Sequence, residues 1–275
     1  MKFVIIQIVN LARVFKGDLV MDLTKNYEIL KVKGKEEKQV SDKVILEYPF
    51  TIFINDEELI TLLCTPKSLK ELTIGFLYSE GFIEKMESIE RILVDEKKGL
   101  AHVYLKERKL LAEKLYGKRT ITSGCGKGTL FYNVIDSFKS KKIEEEFNID
   151  IDRIVNLFRE FNLKSELFLS TGGVHSCALC TLNEILYFEE DIRRHNALDK
   201  ILGEALINNV KYKDKLVLTT GRISSEMLIK IAKRGIPAII SRSAPTNLAI
   251  DLANKLNITV IGFVRGDKMN IYTNY

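Results

Sequence analysis

The last sixty residues alternate between short apolar runs and helical repeats with unusual regularity. Residues 216–219 form a short apolar strand ending in Thr219, Ser224 precedes helical spacing over 225–234, and 238–240 is continuously apolar. Pro245 opens a second helical stretch over 246–256, and 259–264 follows as a third strand. This β-α-β-α-β order predicts a parallel sheet with right-handed crossovers. Residues 269–273 add an edge strand.

Further upstream, 44–54 and 59–64 have strand character on either side of Asn55-Asp56, the residue pair of a hairpin turn. After Thr65-Pro66, Ser68 is placed to cap a helix whose apolar positions Leu69, Leu72, Phe76 and Leu77 recur at helical spacing, ending near Gly81. Residues 89–94 and 101–105 read as a second strand pair around Lys97-Lys98-Gly99, so 39–118 forms a small α+β unit. Lysine-rich residues 25–43 hold few large apolar side chains and read as a solvated connection or an edge hairpin. That leaves 1–38 as an N-terminal extension, with an opening strand at 1–9, and 119–275 as an α/β domain. Within the latter, helices are expected at 129–138, 151–162 and 196–208. Strands at 175–182 and 185–190 turn at Asn183-Glu184.

The chain is 275 residues long, which suits one or two domains, and 46% hydrophobic with 29% charged residues suits an ordinary globular core. Its 42 basic and 37 acidic residues leave a net charge of +5, too balanced to imply nucleic-acid binding. Any anion site must therefore be local. Four cysteines, at 64, 125, 177 and 180, are too few and too uneven for a disulfide framework, and a reducing cytoplasm is expected. No run approaches the ~18 apolar residues of a membrane span.

Two constellations carry chemistry. In Thr122-Ser123-Gly124-Cys125-Gly126-Lys127-Gly128, three glycines leave the thiol of Cys125 unshielded, and Lys127 and Arg119 supply charge that favours a thiolate. The alternative is a tight turn around a small buried residue. The second constellation is a rim. Ligands of open parallel sheets bind beyond the carboxyl ends of the strands, and here all three such loops carry an arginine: Arg222, Arg242 within Ser241-Arg242-Ser243-Ala244-Pro245-Thr246, and Arg265. Planar guanidinium groups beside helix N-termini point to a phosphorylated ligand, unless acids such as Glu226 and Asp251 neutralise them.

Cys177-Ala178-Leu179-Cys180, with His175 before it, raises a zinc site, but no second ligand pair of that spacing exists and residues three apart on a strand face opposite ways. A zinc deaminase fails where Cys177 occupies the place of the needed glutamate. No metal is expected. His175 and His195 are candidates for proton transfer or anion contact.

The cysteine loop, T-G-G-V-H at 171–175, R-H-N-A-L-D-K at 194–200, T-T-G-R at 219–222, S-R-S-A-P-T at 241–246 and G-F-V-R-G at 262–266 occur in one order. On these six motifs, from about residue 47 to 273, the chain resembles the formate dehydrogenase accessory sulfurtransferase family. The resemblance implies a cytoplasmic, homodimeric sulfurtransferase that takes persulfide sulfur from a cysteine desulfurase. It would pass that sulfur to molybdenum (or tungsten) bis-molybdopterin guanine dinucleotide before the cofactor enters apo formate dehydrogenase. The implied fold is cytidine deaminase-like, a three-layer α/β domain without zinc, next to the small N-terminal α+β domain. The persulfide cysteine falls on Cys125, and the cofactor segment on Phe263, Val264, Arg265, Gly266, Asp267 and Lys268. Arg222, Ser241, Arg242, Ser243 and Thr246 complete the expected rim for the guanine nucleotide moiety. The departure is Gly128, where many relatives have a second loop cysteine. A cofactor chaperone that transfers no sulfur is therefore the alternative.

Overall fold

The computed structural model describes residues 21–107, 142–144 and 147–275, and element labels run in chain order through them. The first hairpin, β1 (Thr24–Lys33) and β2 (Glu36–Ile45), forms a two-stranded antiparallel sheet of its own, closed through Gly34 at φ 63°. The expected strand at 44–54 is split, because Ile45 still belongs to this hairpin and the chain changes partner at Leu46-Glu47 before β3 begins.

β3 (Tyr48–Ile54) and β4 (Glu57–Cys64) are joined at Asn55 (φ 49°) and Asp56 (φ 69°), both left-handed as a two-residue hairpin turn requires. Helix α1 (Leu69–Glu80) ends on Gly81 at φ 83°. Ser68 precedes it without capping it: its backbone is left-handed and its hydroxyl donates to Glu189 Oε1 at 2.5 Å. A single 3-10 turn, Met86–Ser88, leads into β5 (Ile89–Asp95) and β6 (Leu100–Leu105). The four strands are ordered β4-β3-β6-β5, with β3 and β6 parallel. Phe50, Ile52, Ile54, Ala101 and Val103 fill the buried face at alternate positions.

The six-stranded sheet is built from β7 (His175–Cys180), β8 (Ile185–Asp191), β9 (Leu216–Thr219), β10 (Ala238–Ser241), β11 (Thr259–Arg265) and β12 (Lys268–Ile271). Its order is β12-β11-β10-β9-β7-β8; β9, β10 and β11 are parallel, and β7, β8 and β12 pair antiparallel. One face, with Cys177, Leu179, Val217, Ile239 and Val260, packs against α4 (Arg194–Ile207), α5 (Ser225–Ala232) and α6 (Asn247–Leu256). The same core runs on into α1 and the four-stranded sheet. The opposite face, with Ala178, Cys180, Leu218 and Ile240, is covered by Ile154, Leu157, Phe158 and Phe161 of α2 (Ile151–Lys164). Cys177 and Cys180 thus lie on opposite sides of the sheet.

Ser224 and Thr246 cap α5 and α6 by accepting from the amides of Met227 and Ala249. A buried ionic knot ties the four-stranded sheet to the six-stranded one. Asp191, at the end of β8, accepts from the amide and hydroxyl of Thr65 and from Lys200 Nζ at 2.8 Å, with both Lys200 and Asp191 side chains fully buried. This fixes the β8 to α4 junction beside the strand ends.

Candidate functional site

The loops after β9, β10 and β11 are laced into one rim. Thr220 exchanges bonds with β7, its amide donating to Ser176 O and its hydroxyl accepting from the Ser176 amide. The Arg242 amide donates to Thr219 O, the Ile223 amide to Ala244 O and the Phe263 amide to Ser243 O. Ser241 is fully buried; its hydroxyl donates to Gly221 O at 2.7 Å and accepts from the Ser243 amide at 2.9 Å. The fourth wall is the Gly172-Gly173 loop after α3 (Glu166–Thr171). Glu190 anchors that helix, its carboxylate accepting from the free amides of Leu167 and Phe168, each at 3.0 Å.

Between these loops runs a groove of about 470 Å³ whose polar lining includes His175, Thr220, Arg242, Ser243 and Arg265, with Phe168 and Phe263 as aromatic walls. A second hollow, of about 590 Å³, opens where β11 and β12 meet and is lined by Phe263, Arg265, Asp267, Lys268 and Ile151. Phe263 and Arg265 belong to both. The reason is a bulge between Gly262 and Arg265, where Phe263 adopts φ 57°, a left-handed conformation that a bulky residue resists, while the residue stays 39% exposed. Gly266, at φ 61°, then makes the turn into β12.

Arg222, Arg242 and Arg265 are all exposed, and none forms an ion pair among the described residues. Glu226, a candidate to neutralise them, instead sits 3.1 Å from His195 Nε2, and this contact holds its carboxyl below the usual range. Asp251 likewise forms no ion pair among the described residues.

The expected site residues therefore divide. Arg242, Ser243, Phe263 and Arg265 converge on the groove, Asp267 and Lys268 join the second hollow, and Arg222 lies two residues beyond Thr220, the residue that His175 meets. Val264 is buried in the second core and Thr246 uses its hydroxyl on α6, so these two and Ser241 shape the rim from beneath. Cys125 and its whole loop, with Arg119, lie outside the described residues, as do the expected strand at 1–9 and helix at 129–138.

The other three cysteines are buried. Desolvation pushes the thiols of Cys64 and Cys177 up to about 12, and that of Cys180 also upward. None is a thiolate at neutral pH. His175 is half-buried, with Nδ1 3.4 Å from Thr220 Oγ1. Burial first, then the charges of Arg194, His195 and Arg222, hold its imidazole below the usual histidine range, against the pull of Asp191.

In the sequence Arg194 belongs to the charged crossover Glu189-Glu190-Asp191 to Arg193-Arg194-His195, either a solvated strand exit or a partner or cofactor surface, and it is not among the expected rim residues. Its stem lies on Gly221, where a Cβ would come within 2.9 Å of Arg194 Cβ and Cδ. The legible signal was a helix start carrying Arg194 and His195 but no acid in its first turn.

A profile of the FdhD/NarQ family matches residues 45–275. The chain belongs to that family. Among FdhD/NarQ relatives, the sulfur carrier protein FdhD of Bacillus licheniformis is 44% identical over 254 residues, covering 92% of this chain and 97% of that protein. The sulfur carrier protein FdhD of Bacillus subtilis is 43% identical over 246 residues, covering 90% and 94%. A crystal structure described as a formate dehydrogenase accessory protein from Desulfotalea psychrophila superimposes with a TM-score of 0.73 at 27% identity, covering 92% of this chain and 98% of that one.

Proposed function

We propose that this FdhD/NarQ protein is a cytoplasmic sulfur carrier that serves formate dehydrogenase. It accepts sulfur from a cysteine desulfurase on Cys125 and delivers it to bis-molybdopterin guanine dinucleotide held on the arginine rim, before that cofactor enters the apoenzyme. The observation that carries this reading is the groove itself. Arg242 and Arg265 stand exposed on it without carboxylate partners among the described residues, as a site for pyrophosphate needs. Phe263 offers a ring on which a guanine can stack.

Elimination supports Cys125. Of four cysteines, the three described are buried and held in the thiol form. In the loading step the Cys125 thiolate attacks the outer sulfur of the donor's cysteine persulfide. A sulfur–sulfur bond forms at Cys125, the donor's sulfur–sulfur bond breaks, and the donor cysteine leaves as a thiolate, so no external oxidant or reductant is consumed. The same reading takes the large sheet, with helices on both faces, as a cytidine deaminase-like arrangement adapted to sulfur, and the working unit as a homodimer.

Intact-protein mass spectrometry after incubation with a desulfurase and cysteine tests the carrier role. One added sulfur is expected on the natural protein and none on Cys125→Ser, which should also fail to activate formate dehydrogenase. If Cys125→Ser loads sulfur and activates the enzyme, the carrier reading is wrong. Gly128 in place of a second loop cysteine favours one competing reading, a cofactor chaperone without sulfur transfer. That reading predicts that Cys125→Ser still activates formate dehydrogenase while Arg265→Ala does not.

A further inference from the structure

Beyond the arginines on the groove, a second group of cations gathers at its β7 end. Arg194 begins α4 half-buried, with its Nε fully enclosed and without a hydrogen-bond partner among the described residues. Burial and then Arg222 disfavour its charge, Glu226 being the acid that acts in its favour. But the Glu226 carboxylate already lies against His195. His175 meets Thr220, the Arg194 stem lies on Gly221 and Arg222 follows in the same loop, so three cationic or titratable groups share one turn, and Arg194 forms no ion pair among the described residues. Such an arrangement is costly unless a ligand supplies the missing charge.

We propose that His175, Arg194 and Arg222 form a phosphoryl-oxyanion site at the β7 end of the groove, and that pyrophosphate binds there together with one proton taken up by His175. The proposal rests on the rim reading above and extends it by naming which end of the groove grips the phosphates. The groups that bear on His175 are Asp191 from β8, Arg194 and His195 from α4, Thr220 and Arg222 from the loop after β9, and Arg242 and Arg265 across the groove. Burial first, and then the surrounding positive groups, keep the imidazole of the free protein neutral near pH 7. A bound dianion reverses that balance, so the proton enters with the ligand.

The test uses the full chain and inorganic pyrophosphate. Calorimetry in two buffers of different ionisation enthalpy reads the proton uptake, and the ring carbon–proton resonance of His175, one of three histidines, reads where the proton goes. Pyrophosphate should raise the His175 titration midpoint and draw a proton from buffer at pH 7. His175→Gln should abolish the uptake. Arg194→Gln should weaken binding about tenfold, in line with the loss of a charged hydrogen bond, and raise the His175 midpoint in the free protein, with Arg194→Lys recovering part of both. Melting temperature identifies any variant that fails to fold. If pyrophosphate binds and Arg242→Gln weakens it, yet the His175 midpoint and the Arg194→Gln affinity do not change, this cluster is refuted while the rim stands. If no protein binds pyrophosphate at millimolar concentration, both fall, whatever sulfur loads on Cys125.

Discussion

Gly75 of α1 and Gly203 of α4 meet where the two helices cross, each against the other's backbone. A Cβ on residue 75 would stand 1.7 Å from the carbonyl oxygen of Asp199, and one on residue 203 would stand 2.0 Å from that of Glu71. Neither contact can be relieved by turning a side chain. We expect Gly75→Ala and Gly203→Ala each to destabilise the fold by about 3 kcal/mol, the upper part of the overpacking range. Urea unfolding measures this, and a loss under about 0.5 kcal/mol, the ordinary surface value, would mean that the helices separate easily.

Thiol labelling should count one reactive cysteine. With Cys64 and Cys177 pushed up to about 12 by burial, their thiolate fraction at pH 8 is on the order of one in ten thousand. Native protein should react rapidly with about one equivalent of iodoacetamide, and Cys125→Ser with almost none until urea is added. Fast labelling of Cys64, Cys177 or Cys180 in native Cys125→Ser would contradict the packed environments found here.

Phe263 should show opposite effects on stability and binding. Its left-handed backbone costs about 1 kcal/mol in a bulky residue, which glycine avoids, whereas its side chain lines the groove as the proposed stacking surface. Phe263→Gly should therefore melt no lower than the natural protein. Its affinity for guanosine diphosphate should fall about tenfold, the lower part of the stacking range. Equal affinity in the two proteins would remove the ring from the proposed site.

The neutral His175 gives a pH signature. Because its folded value lies below the ordinary 6.5, the unfolded chain binds the proton more readily, and stability should fall as pH drops through 6.5 toward the folded value. Above that window the contribution is fully present. Comparing melting temperatures of the natural protein and His175→Gln from pH 5 to 8, the natural protein should lose more on the acid side. Parallel curves would show that His175 is not depressed.

The amino-acid sequence by itself determined the elements whose signals are local. The parallel strands β9, β10 and β11 with their capped helices, the Asn55-Asp56 turn and the Gly81 stop all follow from periodicity and backbone preference over a few residues. It also placed Arg222, Arg242 and Arg265 at strand ends, since a βα unit puts its loop there whatever surrounds it.

Only the tertiary structure decided what depends on residues far apart in the chain. Ser68 was drawn from its cap by Glu189, 121 positions away. β3 took β6 as its parallel neighbour, and the first hairpin kept a sheet of its own. Val264, next to a rim arginine in sequence, turned inward where β11 alternates between buried and exposed positions, and Ser241 was drawn in by its hydrogen bonds to Gly221 and Ser243. Arg194 joined the site because Gly221 leaves space for its stem. A chain can announce which stretches pair or coil, but which side chains share a groove is settled by burial and close packing, and those act through space.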